Sequence, residues 1–180
     1  LYGTLFIDEL SVDRFSMDDQ WNFFSWKTGF RVTDFPLRNL SLTAEFTYSY
    51  PLTFMHYVPT TTFEHVGYNM GHYLKDNARE LYVGVDFRPL RTMNINLFFS
   101  DAVRGPDYTA LGTNRLGNPP LETIEWRNTS WGARASFQVV NDLYTWFSFI
   151  SGDISGEEAW SPEYFYGEKN TINFGVTAGF

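Results

Sequence analysis

The sequence predicts an all-β protein: an antiparallel transmembrane β-barrel of the outer-membrane type. About eight strands lie in this chain, as the C-terminal part of a larger barrel. Three observations predict it. Apolar and polar residues alternate with period two along most of the chain, aromatic residues make up 19% of it, and short and long connections take turns between the strands.

The alternation begins at once, in residues 1–9, which open Leu1-Tyr2-Gly3-Thr4-Leu5-Phe6-Ile7. Around 23–32, Phe24, Trp26, Phe30 and Val32 share a face opposite Ser25, Lys27, Gly29 and Arg31. Around 40–49, Leu40, Leu42, Ala44, Phe46 and Tyr48 oppose Ser41, Thr43, Glu45, Thr47 and Ser49. Residues 80–87 set Leu81, Val83, Val85 and Phe87 against Glu80, Tyr82, Gly84 and Asp86. Residues 93–100 set Ile95, Leu97 and Phe99 against Asn94, Asn96, Phe98 and Ser100. The pattern continues over 128–139, with Trp131, Ala133, Ala135, Phe137 and Val139 on one side, and over 143–150, with Leu143, Phe147 and Phe149. It ends in Ile172, Phe174, Val176, Ala178 and Phe180. Each segment is close to the roughly 9–11 residues that a tilted strand needs to cross a bilayer.

The connections carry more weight than the strands. Tight ones fall at Thr33–Asn39 with Pro36, Arg88–Arg91 with Pro89, and Asn141–Asp142. Long ones fall near 11–20, 51–78, 101–122 and 151–168. Outer-membrane barrels have short periplasmic turns and long extracellular loops, whereas a soluble β-sandwich has no reason to sort its loops this way. The polar faces carry Lys27, Arg31, Glu45, Glu80, Asp86 and Arg134. In a barrel these charges line a wet lumen; on a sandwich they are ordinary solvated residues. The opposite faces are nearly free of charge at mid-strand, as expected if a charge facing lipid there costs about 2–4 kcal/mol.

Composition narrows the classes. The chain has 18 Phe, 11 Tyr and 6 Trp, suited to aromatic girdles at two membrane interfaces. Hydrophobic residues make up 43% of it and its mean hydropathy is -0.28, values that fit a porin-type barrel or a soluble globule. No apolar run approaches the roughly 20 residues of a membrane helix. The absence of cysteine excludes thiolate zinc sites and disulfides. A formal net charge of -8 argues against a nucleic-acid partner. No signal peptide precedes the first strand, so the expectation is that a leader has been removed or that the N-terminal part lies elsewhere. Lys27, Tyr82, Phe98, Arg134, Tyr144 and Trp146 need more room than the interior of an eight-stranded barrel gives, which favours a larger one.

The last eight residues, Asn173-Phe174-Gly175-Val176-Thr177-Ala178-Gly179-Phe180, resemble the C-terminal signature of bacterial outer-membrane proteins. Asn173, Gly175 and Phe180 match; Ala178 stands where an aromatic residue is preferred. The resemblance implies a closing strand, a periplasmic end and recognition by the barrel-assembly machinery.

The stretch Phe63–Leu81 is similar to an extracellular loop of Wzi-like capsule-assembly outer-membrane proteins, above all their Bacteroidetes branch. That loop carries a Gly-His-x-Leu-Gly-x-Asn-x-x-Glu run. Gly71, His72, Leu74, Asn77 and Glu80 match it, and Lys75 replaces the second glycine. Leu1-Tyr2-Gly3 with Asp8-Glu9 resembles a strand of the same family. The likeness covers about a quarter of the chain. It implies a large barrel of about eighteen strands and retention of capsular polysaccharide at the cell surface.

The loops supply residue types that fit such a ligand. Tyr57, His65, Tyr68, His72, Tyr73, Tyr108, Trp160 and Tyr164 offer aromatic faces and polar edges for sugars; the plainer alternative is an aromatic girdle and loop packing. His56, His65 and His72 lie near Glu64 and Asp76, yet their spacing matches no known metal motif, and no metal or cofactor is assigned. A rim enzyme would pair His65 or His72 with Glu64 or Asp76 and a serine from another strand; no nucleophile motif appears, so no catalytic residue is assigned. Asp153, Glu157 and Glu158 could attract Ca²⁺ or divalent-bridged lipopolysaccharide. The expectation is thus a non-enzymatic barrel of the bacterial outer membrane that anchors polysaccharide. Its partners would be the lipid bilayer, lipopolysaccharide and other outer-membrane proteins. A channel with a charged lumen is the first alternative and a small barrel with a rim enzyme the second.

Overall fold

A computed structural model of the chain describes residues 1–55, 62–66, 68–108, 115–156 and 160–179. Its main feature is one antiparallel sheet of eight strands: β1 (Tyr2–Glu9), β2 (Phe23–Thr33), β3 (Leu40–Ser49), β6 (Ala78–Leu90), β7 (Met93–Arg104), β8 (Trp126–Val140), β9 (Leu143–Gly156) and β10 (Gly167–Ala178). Each strand pairs with the next in chain order. Two short strands, β4 (Glu64–His65) and β5 (Tyr68–Asn69), form a separate hairpin within the connection between β3 and β6.

The all-β antiparallel expectation holds, and the period-two segments are the eight strands. Closure within these eight strands does not occur. β1 and β10 are the two edges of the sheet and do not pair with each other. β10, which carries Asn173 and Gly175, pairs with β9 alone; Phe180 lies outside the described residues. An eight-stranded barrel leaves an interior that side chains just fill. The face that would point inward here carries Tyr2, Tyr82, Phe98, Arg134 and Trp146, large groups for so narrow a space.

Register assigns the faces. Tyr2, Gly29, Glu45, Tyr82, Ser100, Ser130, Gly152 and Lys169 form one cross-strand row through all eight strands. Side chains two residues apart share a face, so this row places Lys27, Arg31, Glu45, Glu80, Asp86 and Arg134 together on a polar face. Three pairings tie that face together: Lys27 to Glu45 at 3.5 Å, Arg31 to Asp86 at 3.8 Å, and Asn96 Nδ2 donating to Asp86 at 3.0 Å. The row Val32–Leu42–Val85–Leu97–Ala133–Phe149–Ile172 belongs to the opposite, apolar face. The described residues leave this face uncovered: Trp131 is 52% exposed and Phe174 84%.

Glycines let aromatic rings lie flat across the polar face. Tyr2 covers its partner Gly29, Phe98 covers Gly132 and Trp146 covers Gly175. A Cβ on Gly132 would stand 2.6 Å from the Phe149 carbonyl oxygen and 2.7 Å from the Phe98 ring.

The three short connections lie at one end of the sheet: 34–39, Arg91–Thr92 and Asn141–Asp142. Asp142 adopts φ 62, a left-handed conformation that Asp tolerates. Pro89, expected in a turn, lies inside β6 beside a register irregularity between Phe87 and Leu90, where its missing N–H breaks no regular ladder.

The long connections meet at the other end, and the buried core is there. One apolar cluster holds Leu74, Ala78, Ala102 and Trp126; a second holds Phe23 and Leu52. Asn77 ties the connections together. It is 1% exposed and sits at φ 52, a conformation that favours Asn among residues with a Cβ. Its Oδ1 accepts from the Leu121 N–H at 2.7 Å, and its Nδ2 donates to the Pro106 carbonyl at 3.0 Å. Its own backbone N–H donates to Tyr50 O, and its carbonyl accepts from Gly105 N–H. Trp21 N–H donates to Leu116 O at 2.8 Å and binds the first long connection to the third.

Replacing Asn77 by Ala should strand two buried polar groups and cost about 2–6 kcal/mol, at 1–3 kcal/mol per unsatisfied group. Denaturant unfolding followed by tryptophan fluorescence checks this. Asn77→Gly keeps the backbone freedom and should lose somewhat less.

Candidate functional site

The packed long connections form a cap at one end of the polar face, and a cleft of about 400 Å³ opens between cap and sheet. One wall comes from the connection between β3 and β6: Phe54, Phe63, Met70, Gly71 and His72. The other comes from the polar faces of β1, β2 and β3, through Thr4, Phe6, Lys27 and Thr47. Backbone bonds shape the loop wall: Phe63 N–H donates to Phe54 O at 2.9 Å, and Met70 N–H to Phe63 O at 3.0 Å. Phe6 fastens the loop to the sheet, 4.8 Å from the Phe63 ring centroid and 5.3 Å from that of Phe54. Gly71 must lack a side chain, since a Cβ there would come within 2.3 Å of the Phe54 ring.

A polar cluster borders the cleft. Glu80, on the polar face, accepts from Tyr73 Oη at 2.8 Å and from Ser100 Oγ at 2.9 Å, and lies 3.3 Å from His72 Nε2. His72 Nδ1 accepts weakly from the Leu74 N–H at 3.4 Å, which leaves the proton of a neutral ring on Nε2, towards Glu80. A rim enzyme needs a base on the serine and an acid on the base. Here one carboxylate, Glu80, holds both the serine and the histidine. Among the described residues no group of three or more His, Asp or Glu side chains could hold a metal ion.

The residues expected to bind sugar are spread over the cap. Tyr57 lies outside the described residues, as do His56, Glu157 and Glu158. His65 and Tyr68 face each other across the β4–β5 hairpin, both exposed. Tyr73 is exposed at its ring while its hydroxyl is held by Glu80. Tyr108 packs against the Phe23–Leu52 cluster. Trp160 lies under the Arg104 guanidinium, 3.6 Å from its ring centroid, and against the Leu74–Trp126 cluster. Tyr164 stands exposed beside Phe165. Of these residues that are described, His72 alone lines the cleft. Phe6, Phe54, Phe63 and Met70 escaped sequence reasoning: no period marks a loop, and nothing in the sequence places Phe54 beside Phe63.

Asp76, considered as a metal ligand or catalytic acid, is instead a buried staple. It is 4% exposed, and its Oδ1 accepts from the Phe54 N–H at 2.7 Å. Burial pushes its pKa up to about 7, and the charges of Asp107 and Asp8 add to the rise; the Phe54 bond and Arg104 oppose it. Burial likewise raises the Tyr50 and Tyr108 hydroxyls.

No protein-family model, no curated protein and no solved structure matches the chain.

Asp76 gives the cap a pH dependence. Its folded pKa lies above the ordinary aspartate value of 3.8, so its stabilising contribution is complete below about pH 4 and is lost as pH rises to about 7. Thermal unfolding should show stability falling from about pH 4 to about pH 7 and levelling off above, and Asp76→Asn, which keeps the acceptor for Phe54, should flatten that fall. An unchanged slope in the variant would assign the dependence to other groups.

Proposed function

We propose that this chain is part of the wall and the outer cap of an outer-membrane β-barrel, larger than eight strands, that holds surface polysaccharide through its long connections. One observation carries the first half: an eight-stranded meander leaves one face apolar and uncovered, with short turns at one end and all long connections packed at the other. A soluble sandwich would bury that face against a second layer. Lipid covers it without one. The mixed-sign pairs on the opposite face suit a wet lumen, and the free edges of β1 and β10 are where further wall strands would pair.

The polysaccharide half is supported by the similarity of Phe63–Leu81 to Wzi-like capsule-assembly proteins and by the exposed rings of Tyr68, Tyr73 and Tyr164 on the cap. A channel is the second reading, favoured by the pairings Lys27–Glu45 and Arg31–Asp86 along the polar face. Recognition of β10 by the barrel-assembly machinery, through Asn173, Gly175 and Phe180, belongs to the same proposal.

Two substitutions on adjacent residues test the membrane reading. Leu97→Lys puts a charge on the apolar face and should cost about 2–4 kcal/mol in a bilayer, whereas Asn96→Lys on the polar face should be tolerated. In a soluble sheet with this face in water, both should fall within about 0.5 kcal/mol. Deleting residues 56–78 tests the ligand: surface polysaccharide retained by whole cells should drop. Retention at the wild-type level, with the barrel still assembled, would remove the polysaccharide reading. A steady single-channel conductance after insertion into a planar bilayer would favour the channel instead.

A further inference from the structure

The cleft under the cap is amphipathic in a particular way. Apolar atoms supply most of its surface, from Phe6, Phe54, Phe63 and Met70. Among the described residues its ionisable lining groups are Lys27 and His72, and no carboxylate lines it, although the chain holds 21 acidic residues against 13 Lys and Arg. Phenyl rings and a thioether make a surface for hydrocarbon or arene. A single ammonium at the floor makes a counter-ion for one negative charge. A volume of about 400 Å³ is near the lower end for small-molecule sites. We infer that the cleft binds a small apolar monocarboxylate, with its hydrocarbon body between Phe6, Phe63 and Met70 and its carboxylate on Lys27. This is separate from the polysaccharide reading and does not depend on it.

The position of Lys27 fits this role. Its side chain is 38% exposed and lies 3.5 Å from Glu45, a long contact that leaves donors of the ammonium for a ligand. Glu45 also accepts from the Tyr2 hydroxyl, so it is held on the far side by a second group. The Thr4 and Thr47 hydroxyls on the same wall can donate to the second carboxylate oxygen. His72 is engaged with Glu80 and serves as wall rather than counter-ion.

The test is titration calorimetry on the purified full chain, in the same amphiphile throughout, with 1-naphthoate and its uncharged analogue 1-naphthamide as probes. Naphthoate should bind saturably and about tenfold more tightly than the amide, the worth of one charge-assisted hydrogen bond. Lys27→Gln should abolish that preference. Glu45→Gln, which removes the competing carboxylate, should tighten naphthoate binding. Phe63→Ala should weaken both probes, and Arg31→Gln, a polar-face cation outside the cleft, should alter neither. Near-ultraviolet circular dichroism confirms that each variant is folded. Equal affinity for acid and amide, no effect of Lys27→Gln in a folded protein, or no saturable binding would each overturn the inference.

Discussion

The rest of the structure depends on register. One row of side chains, from Tyr2 through Glu45 and Ser100 to Lys169, crosses every strand without a slip, and the period of two then fixes the face of every other residue. A shift of one residue at any joint would turn Lys27 or Asp86 onto the apolar face and Trp26 or Val85 onto the polar one. Face assignment is therefore collective. It is also what gathers six charged residues, drawn from β2, β3, β6 and β8, on one surface where opposite signs can meet.

The burial pattern inverts that of a soluble domain. Among the described residues none covers the middle of the sheet on either face, and the buried clusters lie where the long connections converge. Loops usually stay at the surface because buried peptide groups need partners. Here the partners come from within the cap. Asn77 holds two points of the connection between β7 and β8 with its amide, Asp76 takes the Phe54 N–H, Thr53 Oγ1 reaches Phe24 O and Tyr50 O, and the Trp126 indole donates to Ser161. The cap is thus organised by polar side chains placed just before or just after strands, with Leu52, Leu74 and Trp126 filling the space between.

The strands were legible in the sequence because alternation of apolar and polar residues is a local property. Their ends were less so. Hydrophobic alternation around 93–100, 128–139 and 143–150 stops short of the true limits, at Arg104, Trp126 and Gly156, because the outward row there changes to Asp101, Thr129 and Asp153 while the ladder of hydrogen bonds continues. The backbone carries the strand past the point where the side chains cease to announce it. The cleft was not legible, since it joins Phe6 of the first strand to Phe54 and Phe63 of a loop. Asn77 and Asp76 appeared in the sequence as a motif position and a loop acid; their burial arises only when three distant connections share one end of the sheet. Openness of the sheet was also beyond the pattern, because alternation gives faces and leaves the partners of the edge strands unspecified.

The aromatic rings lying across Gly29, Gly132 and Gly175 have a bearing on how such a sheet is put together. Each ring belongs to one strand and its glycine to the neighbour, so a joint is completed only when the correct residues stand opposite. A strand added two residues out of step keeps its faces yet sets Phe98 against Ser130 or Arg134 in place of Gly132, and the ring no longer lies flat. Hydrophobic alternation cannot detect that error. The glycines can, and they make these three pairings checkpoints for the strand that follows.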